Sequence, residues 1–142
     1  MIYQISVFLE NRAGQLAEVT NLLAENKINL RAISIAETTD YGVLRVIVDD
    51  AERASAILLE QGNVISMTPV SVVAVPDRPA GLSEILSVIS DAGVDIEYMY
   101  SILASDIEKA YMVFRASDEA MLEETIRLNG MKLADKSDLG IK

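Results

Sequence analysis

Apolar and polar positions alternate in two registers along the chain, and the switches between them mark its elements. Ile2, Ile5, Val7 and Leu9 read as a strand, while Leu16, Val19, Leu22 and Leu23 recur at helical spacing. The polar stretch Asn11 to Gly14 is therefore a strand-to-helix turn. The helix runs to Asn26-Lys27, and Ile28 to Ala36, apolar and rich in β-branched residues, is the next strand. Asp40-Tyr41-Gly42 supplies a turn before the buried-looking strand Val43 to Val48. Asp49-Asp50 offers an N-cap to a helix carrying Ala51, Ala54, Ile57 and Leu58, which Gly62 closes, and Val64 to Met67 is a fourth strand. The order β-α-β-β-α-β is the split βαβ pattern, an antiparallel sheet with both helices on one face.

The pattern then repeats. Asn11-Arg12-Ala13-Gly14-Gln15-Leu16 lies on Asp77-Arg78-Pro79-Ala80-Gly81-Leu82 at an offset of 66, with the glycine displaced by one position. The same offset sets Glu18 on Glu84, Val19 on Ile85, Asn29 on Asp95, Leu30 on Ile96 and Asp40 on Asp106 without a gap. After Pro69 the second copy reads as strand Val70 to Val75, a helix with Leu82, Ile85, Leu86 and Ile89 on one face, and strands Val94 to Leu103 and Ala110 to Phe114 about a Ser105-Asp106 turn. Ser117 serves as cap for a helix to Leu128, stopped by Asn129-Gly130; Met131 to Ala134 is a weak last strand, and the tail from Asp135 is frayed or adds an edge. The expected fold class is α+β, two ferredoxin-like βαββαβ repeats over 1–68 and 69–142. The nearly unbroken apolar run Val64 to Val75 leaves no flexible linker, so the copies are expected to pack rigidly.

Composition narrows the chemistry. A chain of 142 residues that is 51% hydrophobic has ample material for a core. It contains no Cys and no His, which removes disulfides, thiolate metal sites and the commonest metal ligand and general base. No enzyme activity, metal or cofactor is expected. Twelve Lys and Arg against 22 Asp and Glu give a net charge of −10, spread without a basic cluster, so nucleic acid is not an expected partner. No apolar run approaches the roughly 20 residues that span a bilayer, and the chain opens directly on a strand. A cytoplasmic protein without a membrane partner is expected.

Binding chemistry remains, and it centres on the turn. A helix start leaves backbone N–H groups without partners and carries the positive end of the dipole, which suits a carboxylate or phosphate; Gly14 allows close approach. Arg12 and Arg78 read as solvent-facing or interface-pairing, and Asp77 and Asp95 as a cap and a strand-start residue rather than a metal pair.

The stretch Glu10-Asn11-Arg12-Ala13-Gly14-Gln15-Leu16, with Ala17-Glu18-Val19 and then Lys27-Ile28-Asn29-Leu30, resembles the Asp/Asn-Arg-Pro-Gly-x-Leu turn of ACT domains. Those are βαββαβ modules that bind amino acids and regulate metabolic enzymes, and the resemblance covers both halves of this chain. It implies a free amino acid as ligand, held in serine-binding members by one Asn in the turn and a second at the start of the second strand; Asn11 and Asn29 match these positions. Asn offers both donor and acceptor, as a zwitterion requires. The implied ligand set is Asn11, Arg12, Ala13, Gly14, Gln15, Leu16, Asn29 and Leu30, with an altered second set of Asp77, Ala80, Gly81, Leu82, Asp95 and Ile96. Leu9 stands where a serine-binding relative carries His, and the Asp pair lacks the donors of the Asn pair. The resemblance further implies a homodimer with ligand at a domain or subunit interface. Its alternative is a regulatory subunit for an amino-acid biosynthetic enzyme, as in the acetolactate synthase regulatory subunits.

Overall fold

A computed structural model describes residues 1–10, 12–37, 41–103 and 109–142. Asn11, the turn residues Asp40, Ser105 and Asp106, and with them the Asp40–Asp106 match, lie outside the described residues. The elements are β1 (Ile2–Glu10), α1 (Gln15–Glu25), β2 (Leu30–Glu37), β3 (Tyr41–Val48), α2 (Ala51–Glu60), β4 (Val64–Pro76), α3 (Gly81–Asp91), β5 (Ile96–Ser101), β6 (Lys109–Ala116) and α4 (Glu119–Leu128), followed by a single 3-10 turn, Ser137–Leu139. Two compact units result, one of Tyr3–Thr68 with Gly140–Lys142 and one of Met1–Ile2 with Pro69–Leu139.

In the first of these, β3 pairs antiparallel with β1 and β2: Val46 stands opposite Ile5 and Ile33, and Gly42 opposite Leu9 and Glu37. Paired residues share a face of the sheet. Ile5, Val7, Leu9, Leu44 and Val46 thus form one apolar face, which buries Val19 and Leu23 of α1 and Ala54 and Leu58 of α2. Trimming one such side chain, as in Leu23→Ala, costs about 2–5 kcal/mol through lost transfer energy and the cavity left behind.

The second unit repeats the arrangement. Pairing of β6 with β4 and β5 sets Phe114 opposite Ser71 and Met99. Val73, Val75, Phe114 and Ala116 pack against Ile85 and Ile89 of α3 and Leu122 and Ile126 of α4. Tyr98 and Tyr100, two apart on β5, share a face, with ring centroids 6.4 Å apart.

Three local expectations are corrected and one is extended. Val64 to Met67 and Val70 to Val75 are one strand, because an extended backbone accommodates the fixed φ of Pro69, whose carbonyl accepts from Arg115 Nη1 at 2.9 Å. The cap of α4 is Asp118, which accepts from the Met121 N–H at 3.0 Å; Ser117 instead donates to the Asp95 carbonyl at 3.4 Å. The tail is not frayed: Asp135 and Asp138 each accept the other's backbone N–H at 2.9 Å, and Leu139 is buried. The repeat offset is not constant. Leu30 pairs with Val48 and Ile96 with Ala116, so an offset of 66 on the second strand of each repeat becomes 68 on the third.

Candidate functional site

The β1–α1 turn is built from backbone constraints. The Arg12 N–H donates to the Glu10 carbonyl at 2.9 Å, Gly14 takes a left-handed φ of 87°, and α1 starts at Gln15 with no side-chain cap. Helices α2 and α4 differ: Asp50 and Asp118 accept N–H groups of their first turns at 3.2 and 3.0 Å. At α1, then, no side-chain cap is made among the described residues, and the positive helix end suits an anion.

Arg12 folds over the turn and clips Glu18 of α1 in a bidentate pair, 3.1 and 2.8 Å, with Glu10 at 3.8 Å. The hydrogen bond and charge of Arg12 hold the Glu18 carboxyl below its ordinary value, and Glu18 raises Arg12 in return. Both side chains stay about half exposed, so the clip fixes geometry more than it adds stability.

Two clefts flank this turn. On one side a cavity of about 180 Å³ lies among Leu9, Leu16, Ile35 and Gly42, with Glu10, Arg12, Gln15 and Glu37 on its wall. On the other, a broader and more polar one of about 510 Å³ runs along α1 to the end of α2, past Glu18, Asn21, Gln61 and Asn63. Gln15 borders both, and its Oε1 is buried without a hydrogen-bond partner among the described residues. A buried acceptor left unpaired costs about 1–3 kcal/mol.

Of the expected ligand residues, Arg12, Ala13, Gly14 and Leu16 are exposed in the turn and Gln15 is half-buried beside them, whereas Asn11 is outside the described residues. Asn29 and Leu30 are not brought to this turn within their own unit. They open β2 opposite Val48, while the turn lies at the Gly42 end of β3, six residues and about 20 Å away. Asn29 is tied instead to Asp49: its N–H donates to Oδ1 and its carbonyl accepts the Asp49 N–H, both at 3.0 Å. Its side chain is exposed. Leu9, at the position of the family's His, belongs to the core.

In the second repeat the same clip recurs, Arg78 to Glu84 at 3.1 and 2.8 Å, and the Arg78 N–H reaches the Pro76 carbonyl at 2.9 Å. The glycine shift now has a cause. Ala80 takes the left-handed position at φ 69°, and a Cβ on Gly81 would run into the Pro76 carbonyl oxygen. A side chain like that of Gln15 has no room there. Leu82 follows Gly81 in the first turn of α3, and α3 likewise lacks a side-chain cap. A cavity of about 300 Å³ borders Gly81, Ile85, Met131 and Lys132. Asp77 is exposed, and Asp95 and Ile96 lie at the far end of β5, where the Asp95 carbonyl accepts the Ser117 N–H at 3.0 Å. Among the described residues no group of three or more His, Cys, Asp or Glu could hold a metal, and no helix is long and apolar enough to cross a membrane.

Ile35, Glu37 and Gly42 are the site neighbours that sequence reading missed. Their signal was Gly42 itself, a glycine beside a strand of otherwise large residues, which often marks close approach of a ligand or backbone.

No curated protein matches the chain. Protein BT0572 from Bacteroides thetaiotaomicron is 38% identical over 98% of this chain and 95% of its own, with a TM-score of 0.91. The ligand-free regulatory subunit of aspartate kinase from Thermus thermophilus, 18% identical over 89% and 91% of the two chains, shares the fold with a TM-score of 0.65. A structure of aspartokinase alpha and beta subunits does so at 16% identity, 89% and 88% coverage and a TM-score of 0.63. The family model for an ACT domain pair matches residues 1–141, and the chain belongs to that family of paired ACT domains.

Proposed function

We propose that the protein is a non-catalytic regulator that binds one free amino acid per chain at the β1–α1 turn of its first repeat. The observation that carries this reading is the open start of α1: left-handed Gly14, no side-chain cap, and the unpaired Gln15 Oε1 beside a cleft. A ligand carboxylate meets the N–H groups of the first turn, and Asn11 supplies donor and acceptor for the zwitterion. Asn29 enters from a second copy. β2 is the outer strand of its sheet and exposes Ile33 and Ile35, which favours covering by a like strand. Antiparallel pairing of two β2 strands reverses one against the other, so Asn29 of the partner subunit comes beside Glu37 and this turn. The ligand then stabilises one arrangement of the copies, and only differential affinity for two arrangements makes a switch. The second turn, tightened by Gly81, serves structure. Such a regulator works in the cytoplasm, where free amino acids and the enzymes that make them meet.

Thermal denaturation in the presence of each of the twenty amino acids tests the reading. A ligand at 100 times its dissociation constant adds about 2.7 kcal/mol and raises the midpoint by several degrees. If none of the twenty moves the midpoint, free amino-acid binding is wrong. The fold shared with a regulatory subunit of aspartate kinase favours a second reading, a regulatory subunit for an amino-acid biosynthetic enzyme such as acetolactate synthase. Co-purification of a catalytic chain, with no response to amino acids alone, is its signature.

A further inference from the structure

Resting on the reading that an amino acid binds at the first turn, the geometry points to a ligand with an aliphatic side chain, seated between Leu16 and Ile35 over Leu9. These three side chains form the apolar part of the 180 Å³ cleft, whose remaining lining is Glu10, Arg12, Gln15, Glu37 and Gly42. Leu16 and Ile35 are 39% and 48% exposed, so an apolar ligand gains by covering both. The depth of the slot comes from Gly42. A Cβ placed there meets only the Ala36 carbonyl oxygen at 3.8 Å and Leu9 Cβ at 3.9 Å, ordinary contacts, so folding does not demand a glycine at this position and a side chain would simply occupy the space. Glu37 shares the wall and makes no ion pair among the described residues; with the Gln15 carbonyl it offers acceptors to the ligand's ammonium, while the start of α1 takes the carboxylate. The second repeat has lost this combination. Ser101 stands in the place of Ile35, Leu103 in that of Glu37, Ala110 in that of Gly42 and Gly81 in that of Gln15, so one wall, the acid, the open floor and the acceptor are all replaced.

Titration calorimetry of the full chain with glycine, alanine, serine, valine, leucine, isoleucine and lysine tests the assignment. Each buried methylene strengthens binding about fourfold, so leucine, isoleucine and valine are expected to bind at least about tenfold tighter than alanine and serine. Gly42→Val should weaken leucine by about tenfold or more and leave alanine within about twofold, since only the longer side chain reaches the filled space. Circular dichroism confirms that the variant folds, and Ile35→Ser, at an exposed position, gives the same discrimination without touching the core. A flat ranking, serine or lysine binding tightest, or leucine unaffected by both variants overturns the aliphatic slot while amino-acid binding stands. No binding by any amino acid overturns the proposed function as well.

Discussion

The two strand-to-helix turns have the same clip and opposite interiors. Arg12–Glu18 and Arg78–Glu84 match at 3.1 and 2.8 Å, and the N–H of each Arg reaches back to the carbonyl two residues earlier at 2.9 Å. One residue further on they part. The first turn places glycine where φ is positive and starts its helix with Gln15; the second puts Ala80 in the strained position and keeps Gly81 clear of the Pro76 carbonyl. A duplicated unit can therefore preserve its scaffold while the lining beside the helix start changes, from Gln15 and Glu37 around one cleft to Gly81 and Lys132 around the other.

The largest difference between the turns is expected from Gly81→Ala. Contact with a backbone carbonyl cannot be relieved by a side-chain rotation, so a loss of about 2–3 kcal/mol is expected. Gly14→Ala meets nothing within 4 Å and bears only the left-handed strain, about 1–2 kcal/mol. Equal denaturation midpoints for the two variants would contradict the tight backbone contact at Gly81.

Ligand affinity separates the turns next. Asn11→Ala should lose about 1–3 kcal/mol of amino-acid binding by leaving ligand polar groups unpaired, and Asp77→Ala should lose none. Calorimetric titration of both variants decides it, and a comparable loss at Asp77 would make the second turn a site too.

Capping gives a smaller contrast between helices. Asp50→Ala and Asp118→Ala should each cost about 1 kcal/mol in urea denaturation, since each removes the acceptor for an N–H of the first turn. Unchanged midpoints would mean these caps are already met by water.

The smallest effect is one of pH. Arg12 and Arg78 hold the Glu18 and Glu84 carboxyls below the ordinary value of 4.5, so each clip contributes fully above that value and fades as pH falls through the depressed one. Glu18→Gln and Glu84→Gln should slightly flatten the acid limb of the stability curve, and to the same extent. Unequal changes would show that the two clips are not equivalent in solution.

The fold was legible because its signals are periodic. Ile5, Val7 and Leu9 alternate, Val19 and Leu23 step by a helical turn, and the same unit recurs 66 residues later. Pattern reading loses accuracy where a single contact decides. Nothing in the spacing says that Pro69 sits within one continuous strand, or that Leu139 is buried and Asp135 and Asp138 lock the tail. The strand-to-helix turn before Gln15 was readable in the sequence, whereas Ile35, Glu37 and Gly42 come beside it only through strand register. Register also separates Asn29 from the turn of its own unit, since a strand's direction is set by pairing and not by distance along the chain.

The most direct measurement is the stoichiometry of amino-acid binding to the full chain by titration calorimetry, with the best ligand of the panel. One molecule per chain is expected, with binding abolished or strongly weakened by Asn11→Ala and untouched by Asp77→Ala. Two molecules per chain, or none, would contradict it.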